Sequence, residues 1–78
     1  MANNPIVDKV PPQNNEAEMS LLGSVLLDKD VMIKIGDIVS PEDFYKNSHA
    51  KIFEAIVELY EKNEPIDLLT VSNRLLEK

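Results

Sequence analysis

The sequence predicts an all-α fold: a small orthogonal bundle of about four to five helices with an extended N-terminal arm. Three observations support this. The stretch from Asn47 to Asn63 repeats apolar residues at steps of three and four, so Ile52, Phe53, Ile56, Leu59 and Tyr60 fall on one side of a helix while Lys51, Glu54, Glu58 and Glu61 fall elsewhere. The flanking segments carry apolar stripes of the same period, and each stripe follows a residue type that caps helices. No pair of segments alternates as strands do; Ile66 to Val71 alone has strand-like composition, and nothing else would pair with it.

Taken in order, Met1 to Asn14 has no apolar period and contains Pro5, Pro11 and Pro12. This is the extended arm, with the Pro-Pro pair stiffening its last part. Met1 to Lys9 reads as a frayed tail and Val10 to Gln13 as docked. Asn15, Glu16, Ala17 and Glu18 read as a capping box, in which the Asn15 side chain accepts from the Glu18 N–H and the Glu18 carboxylate reaches back. Met19, Leu22, Val25 and Leu26 then form a helical stripe, broadened by Leu21 and Leu27. Gly23, beside Ser20 and Ser24, costs about 1 kcal/mol of helix propensity, which predicts that another backbone approaches closely there. Glu16 and Glu18 are acids in a first turn, a position the helix dipole favours without any partner.

Asp28 or Asp30 can cap a short second helix carrying Val31, Ile35 and Ile38, with Met32 and Val39 beside them and Gly36 weakening it. Ser40, Pro41, Glu42 and Asp43 form a new start signal, followed by one or two turns. Phe44 and Tyr45 are adjacent and would point in different directions, which predicts Phe44 buried and Tyr45 at an edge. As a base-stacking pair they lack basic neighbours. Asn47 or Ser48 can cap the central helix, Asn63 suits its left-handed end, and Pro65 forbids continuation. His49 falls in the first turn of that helix, with no second His or any Cys to share a metal, and reads as a packing or capping residue. Asp67 can cap a last helix from Leu68 to about Lys78, with Leu68, Val71 and Leu75 as one stripe and Leu69 and Leu76 as a second.

Seventy-eight residues make at most one domain, and a chain this short buries only roughly 60% of its unfolded surface, so its own core stabilises it marginally. There is no cysteine, which removes disulfide and thiolate staples and is compatible with a reducing cytoplasm. No apolar run approaches a membrane span, and MANNPIVDK lacks the basic head and oily centre of a signal peptide. A cytoplasmic protein is expected. The formal charge of −6 disfavours direct nucleic-acid binding, because such a surface repels phosphates. Both glycines fall inside helical patterns, no phosphate-cradling loop or nucleophile elbow occurs, and no two carboxylates are placed opposite one another in an apolar setting. No catalytic residue, cofactor site or metal site is expected.

Three blocks of residues resemble a known family. Pro11, Pro12, Gln13, Glu16, Ala17, Glu18, Ser20, Leu21, Leu22 and Gly23 resemble the opening P-P-x-x-x-E-A-E-x-S-x-L-G of the replicative DNA helicases of the DnaB family. Asp43, Phe44, Tyr45, His49, Ile52, Phe53 and Ile56 resemble its D-F-Y-x-x-x-H-x-x-I-F-x-x-I, and Pro65, Ile66, Asp67, Leu68, Thr70 and Val71 its P-[IV]-D-L-x-T-[VL]. The order and intervals of the three blocks, over Pro11 to Val71, make the likeness specific.

The resemblance implies a non-catalytic helical N-terminal domain, residues 15–78, of a hexameric helicase that opens duplex DNA at the replication fork. ATP and Mg would belong to a motor domain outside this chain. Its partners would be DNA primase, neighbouring protomers in the collar of the hexamer and, further, a helicase loader. The family's domain continues past the position of Lys78 through a helical hairpin and a linker helix, so truncation at the C-terminal end is expected. Periodicity does not distinguish a stripe facing the core from one facing a partner. Glu16, at the exposed start of its helix, is the one candidate partner-binding residue. Alternatives from other classes are a generic adaptor and a stand-alone DNA-binding protein using Leu68 to Lys78 as a recognition helix, for which only Arg74 and Lys78 supply positive charge.

Overall fold

The computed structural model describes residues 14–77, so the arm expected over 1–14 lies almost wholly outside the described residues. The order of elements is α1 (Asn15–Leu27), α2 (Val31–Ile35), a 3-10 turn (Pro41–Asp43), α3 (Asn47–Glu61) and α4 (Leu68–Glu77). No strand occurs among the described residues, and Ile66 to Val71 leads into and forms the start of α4. Among the described residues, four α-helices and one 3-10 turn make an all-α fold, as the periodicities predict.

The central position of α3 follows from its sequence. α1, the 3-10 turn and α4 all pack on it, whereas α2 packs on α1. His49, Phe53, Ala55, Ile56 and Leu59 of α3 are buried, with Ile52 half-buried and Tyr60 at the edge. Around them gather Leu22 and Val25 of α1, Met32 of α2, Phe44, Ile66, and Val71 of α4. Phe44 meets Phe53 at a ring-centroid separation of 5.1 Å, tilted by 35°, within the range where aromatic pairs add to simple burial. The C-terminus of α3 closes as a Schellman motif. Asn63 takes φ 60°, its N–H reaches the Tyr60 carbonyl, and the Glu64 N–H reaches the Leu59 carbonyl at 2.9 Å. Asp67 and Thr70 then cap α4 reciprocally: the Thr70 N–H donates to Asp67 Oδ1 and the Asp67 N–H to Thr70 Oγ1, both at 2.9 Å.

Several expectations are corrected. The cap of α1 is Asn14, whose Oδ1 accepts from the Ala17 N–H at 3.0 Å. Asn15 is already helical, and Glu18 turns away from its own helix start. Placing Glu18 in the interior rotates the buried line of α1 to Glu18, Leu22 and Val25. Met19 is accordingly exposed and Leu27 is 90% exposed, although Leu21 and Leu26 are half-buried as expected. Gly23 does not mark a crossing: a Cβ built there meets nothing within 4 Å.

At α2 the N-cap is Asp30, and its own N–H is held by Asp28 Oδ1 at 3.0 Å; neither acid caps the helix with its side chain. The helix is over by Gly36, so Ile38 lies beyond its period and is exposed. α3 begins at Asn47 with Lys46 as N-cap and no side-chain cap from either Asn47 or Ser48. Of the stripes expected on α4, Val71 is buried and Leu75 half-buried, while Leu68, Leu69 and Leu76 are exposed.

Candidate functional site

The most concentrated polar chemistry of the fold lies where α1 crosses the start of α3. The Glu18 carboxylate is 6% exposed, a degree of burial that an acid tolerates only with several partners. It has three. The Tyr45 N–H donates to Oε2 at 2.6 Å, the Lys46 N–H to Oε1 at 3.4 Å, and His49 Nδ1 lies 2.7 Å from Oε1. An ionised carboxylate only accepts, so Nδ1 carries the proton and the imidazole is a donor. Glu18 thus grips the two residues that lead into α3, accepting from the N–H groups of Tyr45 and of Lys46, the N-cap residue. It also places a negative charge near the positive end of the helix dipole.

Burial alone would raise the Glu18 pKa. The hydrogen bond from His49, those from the Tyr45 and Lys46 backbones, and the charge interaction with His49 together outweigh it, holding the carboxyl below the ordinary glutamate value of 4.5. The carboxylate is therefore ionised, held by three donors and turned inward, which makes it a pin between two helices.

Elsewhere the polar groups serve similar ends. Arg74 of α4 donates from Nε to Glu58 of α3 at 2.8 Å and from Nη1 to Glu77 at 3.1 Å, tying the last helix to the central one. Asp43 accepts from the Ser40 N–H at 2.9 Å and closes the 3-10 turn. An open cleft between that turn and α3 is lined by Pro41, Glu42, Asn47, Ala50, Lys51 and Glu54. Among the described residues no group of three His, Cys, Asp or Glu side chains could hold a metal ion, and no helix is long and apolar enough to cross a membrane.

Glu16, the one site residue singled out from the sequence, is exposed in the first turn of α1. At 100° per residue it lies on the solvent-facing side with Ser20, Gly23 and Leu27, well away from the inward line of Glu18. Sequence reasoning placed Glu18 and His49 each in a first turn but did not bring them together. A carboxylate three positions from a cap reads as a local partner, and nothing local signals a bond to residues 27 to 31 positions away.

Comparison with known proteins gives the family. A model of the DnaB-like helicase N terminal domain matches residues 10–78. The chain is 43% identical over 68 residues to the replicative DNA helicase DnaB of Geobacillus stearothermophilus, covering 87% of this chain and 15% of that protein. It is 43% identical over 75 residues to the replicative DNA helicase DnaB of Synechocystis, covering 96% of this chain and 8% of that one. The crystal structure of the N-terminal domain of DnaB helicase from Mycobacterium tuberculosis superposes with a TM-score of 0.81 at 40% identity, over 87% of this chain and 49% of that one. The chain therefore spans a minor part of the length of the helicases it resembles and about half of the solved domain. With a family match over nearly its whole length and a shared fold at 40% identity, the chain belongs to the DnaB-like helicase N-terminal domain family.

Proposed function

We propose that the chain is a non-catalytic assembly domain of a hexameric replicative helicase, made of an N-terminal arm (1–14) and a helical body (15–78), which contacts primase and neighbouring protomers. The observation that carries this reading is the way the ionisable groups are used. The buried Glu18 and His49 are spent on holding α1 to α3, and Arg74 on holding α4, so binding falls to the exposed surface. ATP and Mg act in a motor domain of the full-length protein, which works in the cytoplasm, and a helicase loader is a further partner. Glu16 is the partner-binding residue on α1.

Two measurements test it. A chain extended to the length of the solved domain should sediment as an oligomer and capture primase; a strictly monomeric species that ignores primase contradicts the reading. Reversing the charge of Glu16, Glu16→Lys, should weaken primase capture with stability unchanged within about 0.5 kcal/mol. An equal loss of folding would assign Glu16 to the helix start instead.

A DNA-binding reading with α4 as recognition helix has less support. Arg74, one of the two cations available there, is already engaged by Glu58 and Glu77. A titration with duplex DNA at low salt separates the readings, since tight and salt-steep binding would favour DNA.

A further inference from the structure

Of the block Asp43, Phe44, Tyr45, His49, Ile52, Phe53 and Ile56, every residue but one has work inside the fold. Asp43 closes the 3-10 turn, Phe44 stacks on Phe53, His49 binds Glu18, and Ile52 and Ile56 line the core. Tyr45 is the exception, 61% exposed. Its backbone is nonetheless held in place, although it lies outside any helix. Phe44 before it is buried, its own N–H donates to the buried Glu18 carboxylate at 2.6 Å, and the next N–H donates to the same group.

We propose that Tyr45 is an anchor for the protein partner, presented by Glu18, and that the partner meets it with a basic surface. The inference rests on the assembly reading above and names its contact residue. A tyrosine offers a large amphipathic contact with only two side-chain torsions to freeze, and here the backbone beneath it is already ordered, so docking costs little entropy. The partner's charge follows from the surroundings. Glu42, three residues before Tyr45, and Lys46, directly after it, are both exposed and offset one another, so the sign is set by the chain as a whole, which carries −6 and favours a guanidinium or ammonium group over the π face of the ring. A second copy of the same acidic chain fits this surface poorly, because like charges would meet.

The test is titration calorimetry of the 78-residue chain against the cognate primase, with thermal melts of every variant alongside. Tyr45→Ala should weaken binding by about tenfold or more with an unchanged melting temperature, as loss of an interface anchor does. Tyr45→Phe, which keeps the ring, should retain binding, and added salt should weaken the wild-type complex. If Tyr45→Ala binds as wild type while Glu16→Lys does not, the anchor is overturned and the assembly reading stands. If the wild-type chain and the longer one both fail to bind primase, the two fall together.

Discussion

Glu18 of α1 and His49 of α3, 31 positions apart, meet at 2.7 Å in the interior of the fold, and the same carboxylate holds the backbone at Tyr45 and Lys46. One side chain thereby fixes where α1 lies, how α3 begins and how the segment between the 3-10 turn and α3 is presented. In a chain too small for a large core, such a joint should carry a large share of the stability.

Glu18→Ala leaves two backbone N–H groups and the His49 donor without their acceptor. Loss of a buried charged acceptor predicts a destabilisation of about 2–4 kcal/mol by urea unfolding. A double-mutant cycle with His49→Ala should return a coupling of about 1–3 kcal/mol, since the two side chains are in direct contact. Additive effects would show that the pair is not the joint described.

The sign of the pH dependence follows from the lowered Glu18 pKa. The folded-state value is below the unfolded one near 4.5, so the unfolded chain binds the proton first and stability falls as pH falls. Glu18's contribution is fully present above the unfolded value and disappears as pH drops below about 4.5 and through the folded value. Unfolding midpoints measured from pH 7 to pH 3 should decline at the acid end, and Glu18→Gln should decline less. An equal slope in both would assign acid sensitivity to other carboxylates.

The two glycines should respond in opposite directions. Gly23 has open space where a Cβ would go, so Gly23→Ala gains helix propensity and should stabilise the isolated chain by up to about 1 kcal/mol. A Cβ at Gly36 would lie 2.7 Å from the Met32 carbonyl oxygen, a backbone atom that cannot swing aside. Gly36→Ala should cost about 1–3 kcal/mol, the range for overpacking. Thermal melts of the two variants check both.

Asp67→Ala removes the cap of α4 while leaving its buried Val71 untouched. The expected loss is about 1 kcal/mol, with early fraying of α4 in amide exchange. Unchanged exchange in α4 would mean that packing on α3, with the Arg74 to Glu58 pair, sets the stability of that helix alone.

The helices were legible in the sequence because their periods and boundaries are local properties. Asn63 and Pro65 announce the end of α3, Asp67 the start of α4, and the spacing of Phe53, Ile56 and Leu59 the face that is buried. The rotation of α1 was not legible. Leu21, Leu22, Val25, Leu26 and Leu27 cover most of its circumference, so apolar spacing alone selects no face, and the residue that does select it, Glu18, is charged. The start of α3 was misread for a related reason. Asn47 and Ser48 are good capping types, but α3 starts at Asn47 without a side-chain cap, and the carboxylate that holds the backbone at Tyr45 and Lys46 comes from another helix and leaves no mark in the local sequence. The place of Gly23 was misread because a small residue in a helix looks the same whether a neighbour fills the space or not.

The proposed role makes the exposed start of α1 and the Tyr45 segment the surfaces that contact another protein. Hydrogen–deuterium exchange of the chain with and without primase tests it most directly. The account predicts added protection at the first turn of α1 and across residues 42–48, with α4 unchanged and no nucleotide needed. Protection confined to α4, or none at all with primase in excess, would contradict it.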